Sequence, residues 1–72
     1  MTLDNAKKGQ LVKITNIPDE VTRIKAIRFG ISEGEVVTCL EVVPAGPVVV
    51  SKNKQEIAIG RSLASYIWVE PC

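Results

Sequence analysis

The 72-residue sequence contains no histidine. That absence removes the commonest general base and the commonest metal-ligating side chain. No Ser-His or Cys-His nucleophile can be built within one chain, and no enzymatic activity is expected. Aromatic residues are almost as scarce, with only Phe29, Tyr66 and Trp68 present. The two cysteines, Cys39 and Cys72, fit no CxxC metal or redox spacing. Cys39 lies in an apolar run and reads as a small core residue, and a Cys39–Cys72 disulfide is not expected. Long apolar stretches are missing too. The longest uncharged run, Val42 to Ser51, is interrupted by Pro44 and Pro47 and falls well short of the roughly 20 residues that cross a bilayer. The opening Met1-Thr2-Leu3-Asp4 has no basic stretch followed by an apolar one, so no signal peptide is expected and the protein reads as cytoplasmic.

Nor is there an excess of either charge: nine Lys and Arg stand against eight Asp and Glu. A non-specific nucleic-acid binder carries a strong basic excess, and no nucleic-acid partner is expected. What the chain does have is Val, Ile, Leu and Ala, which dominate a hydrophobic fraction of 46%. Branched aliphatics suit a pleated surface. The length allows one domain, residues 1–72, with neither linker nor internal repeat.

The apolar pattern predicts five strands and one helix. Gln10 to Ile17 alternates, with Val12 and Ile14 on one face and Lys13 and Thr15 on the other, until Pro18 stops it. Leu11 disturbs that alternation. Asp19 is placed to cap a helix running to Phe29, with Glu20 in the first turn where the helix dipole favours it. Val21, Ile24 and Ile27 recur at helical spacing and, closed by Phe29, predict an inward-facing stripe that covers an open end of a barrel. Gly30 is the expected left-handed stop, with Ile31 packing back. Further strands are predicted over Glu35 to Val43, Val48 to Ser51, Glu56 to Ile59 and Tyr66 to Glu70. One helical turn over Arg61 to Ser65 precedes the last of them. Short strands with few long crossovers predict a small five-stranded antiparallel barrel.

Little in this pattern carries chemistry. The carboxylates fall at turns, a helix start or wet strand faces and read as solvated. Glu33, Glu35 or Glu41 could offer oxygen to a hard cation, and Cys72 could join a site between chains, but no spacing specifies a metal. Gly30-Ile31-Ser32-Glu33-Gly34 lacks the Lys-Ser/Thr ending of a phosphate loop. In the last strand the period of two sets Tyr66 and Trp68 opposite Ile67 and Val69. The pair is either an exposed anchor for a partner or is covered by the N-terminal segment or the small helix near Leu63.

Six pieces stand in a recognisable order. They are Gly9-Gln10-Leu11-Val12-Lys13-Ile14, Arg23 to Gly34 with Phe29-Gly30-Ile31 at its centre, the long strand after Gly34, Gly46-Pro47-Val48-Val49-Val50, Glu56-Ile57-Ala58-Ile59-Gly60, and Ala64-Ser65-Tyr66-Ile67-Trp68-Val69. Together they resemble the FeoA family (ferrous iron transport protein A), whose members are small SH3-like barrels. Phe29 stands where Leu is usual and Ala26 where a large aliphatic is usual, so Phe29 is expected to compensate for Ala26 in the core.

The resemblance implies a non-enzymatic accessory protein of bacterial ferrous iron transport. Such a protein docks on the FeoB transporter and regulates it through that transporter's cytoplasmic G-protein domain. On that reading Tyr66, Trp68, Arg23, Lys25 and Arg28 are the candidate partner-binding residues. The alternatives are a sensor domain with weak transition-metal (iron) binding, and a small-barrel nucleic-acid module. No membrane insertion is expected, and a homo-oligomer is left open.

Overall fold

The elements follow the pleat and the punctuation of the sequence. A computed structural model describes residues 1–72 throughout. After a 3₁₀ turn at Leu3–Asn5 come β1 (Leu11–Asn16), α1 (Glu20–Arg28), β2 (Val36–Val42), β3 (Val48–Lys52), β4 (Gln55–Ile59), α2 (Arg61–Ala64) and β5 (Trp68–Pro71). Val12 and Ile14 of β1 are buried while Leu11, Lys13 and Thr15 are exposed, which puts the disturbing Leu11 on the outer face.

The strands form one antiparallel sheet in the order β4-β3-β2-β1-β5. The register slips between Ile14 and Asn16 against β5, and between Cys39 and Glu41 against β3. Such irregularities bend a strand and increase its twist. Every strand contributes to one buried cluster, among them Val12, Ile14, Val37, Cys39, Val48, Val50, Ile59 and Val69. The sheet therefore wraps a single core, and the domain is nearly isometric at 27 × 24 × 22 Å. This is the small SH3-like architecture. Each fully buried aliphatic contributes about 1.5–3 kcal/mol relative to an exposed one.

The outer edge of β5 is covered by the start of the chain. Leu3 N–H donates to the Ile67 carbonyl and Val69 N–H to the Met1 carbonyl, each at 2.8 Å. Leu3 itself is buried. At the β3–β4 hairpin Lys52 pairs with Gln55, leaving a two-residue turn of Asn53 (φ +50) and Lys54 (φ +66). Two positive φ values are what a type I′ hairpin turn requires. Arg61 ties down the β2–β3 connection by donating from Nε to the Gly46 carbonyl at 3.1 Å and from its terminal nitrogen to the Val43 carbonyl at 2.8 Å.

The helix exists where the sequence predicts it, but it faces the other way. Asp19 caps it, accepting from the Thr22 amide at 2.9 Å, and Phe29 is the C-cap. Gly30 (φ +83) permits the closing turn, in which Ile31 N–H donates to Ala26 O and Gly30 N–H to Ile27 O, both at 2.9 Å. This is the paired Schellman arrangement. The buried residues of α1 are Thr22 and Ala26. Val21, Ile24, Ile27 and Phe29 remain 60, 48, 56 and 48% exposed. The predicted inward stripe is thus corrected to an outward one, and Phe29 does not fill space for Ala26. The strands already supply the core, so α1 needs only small side chains to lie close against it.

Candidate docking surface

Two exposed features emerge, one on β5 and one on α1. In the segment leading into β5, Ile67 and Val69 are buried while Tyr66 and Trp68 are 55 and 46% exposed. The α2 turn sets this phase, because Ala64 is buried and Tyr66 N–H closes back on the Leu63 carbonyl at 3.1 Å. Thr2 bridges Trp68 through the main chain, and the indole is left outside. Both aromatic side chains of this pair are therefore exposed.

On α1, Lys25 and Arg28 are exposed and Arg23 is half-buried. At about 100° per residue, Thr22 and Ala26 project roughly 160° from Ile24 on either side. Ile24 therefore points straight away from the core, with Val21 and Ile27 about 60° to each side of it. Arg23 lies beyond Ile27 on one flank, and Lys25 lies beyond Val21 on the other. All five predicted partner-binding residues thus keep solvent-facing surface, while the outward orientation of the apolar stripe was missed by sequence reasoning. The signal that could have found it is Thr22 and Ala26 at i,i+4. Two small residues on one side of a short helix mark a close seat against a packed sheet.

The carboxylates near the helix have structural partners. The Asp19 carboxyl also accepts from the Thr22 hydroxyl at 2.7 Å, and the hydroxyl and amide of Thr22 together hold it below its ordinary pKa. Glu33 accepts from the Ile17 amide at 2.9 Å, joining the β1 exit to the loop before β2. Glu35 accepts from Lys52 at 2.5 Å and from the Ser32 amide at 3.0 Å. The lysine is the main reason its pKa is lowered. Lys52 also donates to the Gly30 carbonyl, so one ammonium ties the end of α1 to β3 and the β2 entry. No three His, Cys, Asp or Glu side chains gather in a metal-holding group. Both cysteines are free, and burial raises the Cys39 thiol above its ordinary value, so it serves as core filling.

The fold and surface define a small SH3-like β domain whose distinguishing features are faces rather than clefts. The family model described as FeoA domain matches residues 1–71, and the chain belongs to that family. A crystal structure of an iron uptake regulatory protein (FeoA) superposes with a TM-score of 0.91 at 27% identity, covering 100% of this chain and 97% of that one. The solution structure of FeoA from Chlorobium tepidum matches at TM-score 0.81 and 25% identity, over 99% of this chain and 70% of its own. The manganese regulator SloR matches at TM-score 0.89 and 16% identity, over 100% of this chain but 34% of the regulator. That last likeness is one of fold. No curated protein sequence matches the chain.

Proposed function

We propose that this domain is a non-enzymatic accessory protein of ferrous iron transport that works in the cytoplasm. It docks on the G-protein domain of the FeoB transporter and modulates that transporter. Membership in the FeoA family supports the role in ferrous iron transport. The observation that carries docking is the outward placement of Tyr66, Trp68 and the α1 cations on a chain that lacks histidine. Exposed aromatics and arginines are the side chains that anchor protein interfaces. No helix is long and apolar enough to cross a membrane, so attachment to a transporter would run through surface contacts. Metal sensing has weaker support. Of the oxygen donors named for it, Glu33 and Glu35 are committed to backbone amides and to Lys52, and Glu41 belongs to no group of three ligating side chains.

The experiment is calorimetric titration of the domain into the purified FeoB cytoplasmic domain, with Trp68→Ala alongside. Docking predicts saturable binding that Trp68→Ala weakens without loss of fold. Absence of binding by the unaltered domain would refute the proposal. Unchanged affinity in the variant would remove Trp68 from the interface.

A further inference from the structure

We propose that the aliphatic stripe of α1, Val21-Ile24-Ile27, is the insertion element of the docking interface, and that it enters an apolar groove on a protein partner with carboxylates along both rims. This inference rests on the docking reading above and specifies the partner's chemistry. Three branched aliphatics spaced i, i+3 and i+6 lie on the side of the helix facing away from the core, each about half or more exposed. That is the side-chain pattern by which a helix fills a groove. Caps at both ends satisfy terminal backbone groups of an already formed helix, so binding need not order it.

The flanking charges select the occupant. Arg23 borders the stripe on the Ile27 side and Lys25 borders it on the Val21 side, while Arg28, about 40° from Ile24, stands at its C-terminal end. A second copy of the chain fits badly. Parallel two-fold pairing sets Arg23 against the partner's Lys25, and antiparallel pairing brings the Lys25 edges of both copies together. Like charges so placed oppose association. A uniformly anionic bilayer also fits poorly, because Asp19 and Glu20 at the start of the same helix would be pressed onto it. A groove can set its carboxylates locally, opposite the three cations and away from the helix N-terminus.

The test uses the FeoB cytoplasmic domain as the probe, with Ile24→Ala, Arg28→Glu and the distant Lys7→Glu compared against the unaltered domain. Circular dichroism establishes that each variant is folded. Ile24→Ala is expected to weaken binding about tenfold or more, as removal of a central anchor does. Arg28→Glu is expected to weaken it at least as much and to flatten its dependence on sodium chloride, while Lys7→Glu leaves affinity within about twofold. No binding by the unaltered domain overturns docking and this inference together. Binding that Ile24→Ala and Arg28→Glu leave unchanged overturns the inference alone. Ile24-dependent association with phosphatidylglycerol vesicles, or Ile24-dependent dimerisation in sedimentation equilibrium, overturns it in favour of a bilayer or a second copy.

Discussion

Truncating Ile24 to Ala separates the two orientations that α1 could take. An isoleucine in a packed core costs about 2–5 kcal/mol when cut to alanine, because transfer energy is lost and a cavity remains. Ile24 is 48% exposed and points away from the core, so no cavity forms. Alanine is also the better helix former by a few tenths of a kcal/mol. The two effects oppose, and the expected change is within about 0.5 kcal/mol. Ala26 is the reverse case. It is only 1% exposed, and Ala26→Leu must push α1 off the sheet or crush the cluster beneath it, costing about 1–3 kcal/mol. In a domain of this size that is a fall in Tm of roughly 4–8 °C per kcal/mol. Urea unfolding followed by far-UV circular dichroism at low protein concentration measures both. An Ile24→Ala loss above about 2 kcal/mol, or a neutral Ala26→Leu, would refute the outward orientation.

Three further outcomes follow from the loops that frame the sheet. Lys54 holds φ +66 in the β3–β4 turn, where a side chain is strained and glycine is not, so Lys54→Gly should stabilise by about 0.5–1 kcal/mol and raise Tm; a lower Tm would contradict the turn assignment. Gly30→Ala places a Cβ at φ +83 and should cost about 1–2 kcal/mol in the same unfolding assay. Lys52→Met should cost up to about 1 kcal/mol at neutral pH. Glu35 binds its proton less readily in the folded state, so its pairing is complete above the ordinary carboxyl value of 4.5 and is lost as pH falls through the lowered native value. The stability gap between Lys52→Met and the parent should therefore narrow below that pH, and a gap that widens in acid would count against the pair.

Strand identity was legible because period-two alternation is enforced by the pleat itself. Val12 and Ile14 on one face of β1, and Tyr66 and Trp68 on the face opposite Ile67 and Val69, could be read from spacing alone. The helix ends were legible for a similar reason, since an Asp that frees itself to accept amide protons and a Gly that accepts positive φ have few substitutes. The face of α1 was not. Treating an apolar stripe as a buried one assumes that the core needs it, and apolar residues on a surface are ordinary. Here Val37, Val48, Val50 and Ile59 lie in the same buried cluster that Ala26 joins, so small size at Thr22 and Ala26 decided the orientation. The gap between the strands ending at Ser51 and starting at Glu56 marked the β3–β4 connection but not its turn type, because lysine is not a residue that signals positive φ. The Glu33–Ile17 and Lys52–Gly30 contacts link positions 16 and 22 residues apart, and no local pattern encodes them.

The orientation of α1 changes which substitutions should affect stability and which should affect recognition. Had Val21, Ile24 and Ile27 been core, any loss of binding on truncating them would follow trivially from loss of fold. Because they lie on the outer face, about half or more exposed, the fold depends on them far less than on the buried cluster. Stability and partner binding should then come apart at Ile24. The Ile24→Ala domain should unfold at nearly the parent urea concentration while binding the FeoB cytoplasmic domain about tenfold or more weakly. At Ala26 the two should fall together, since displacing the helix moves the stripe along with it. Correlated losses at both positions would mean that Ile24 acts through the fold, and the recognition role of α1 would fail.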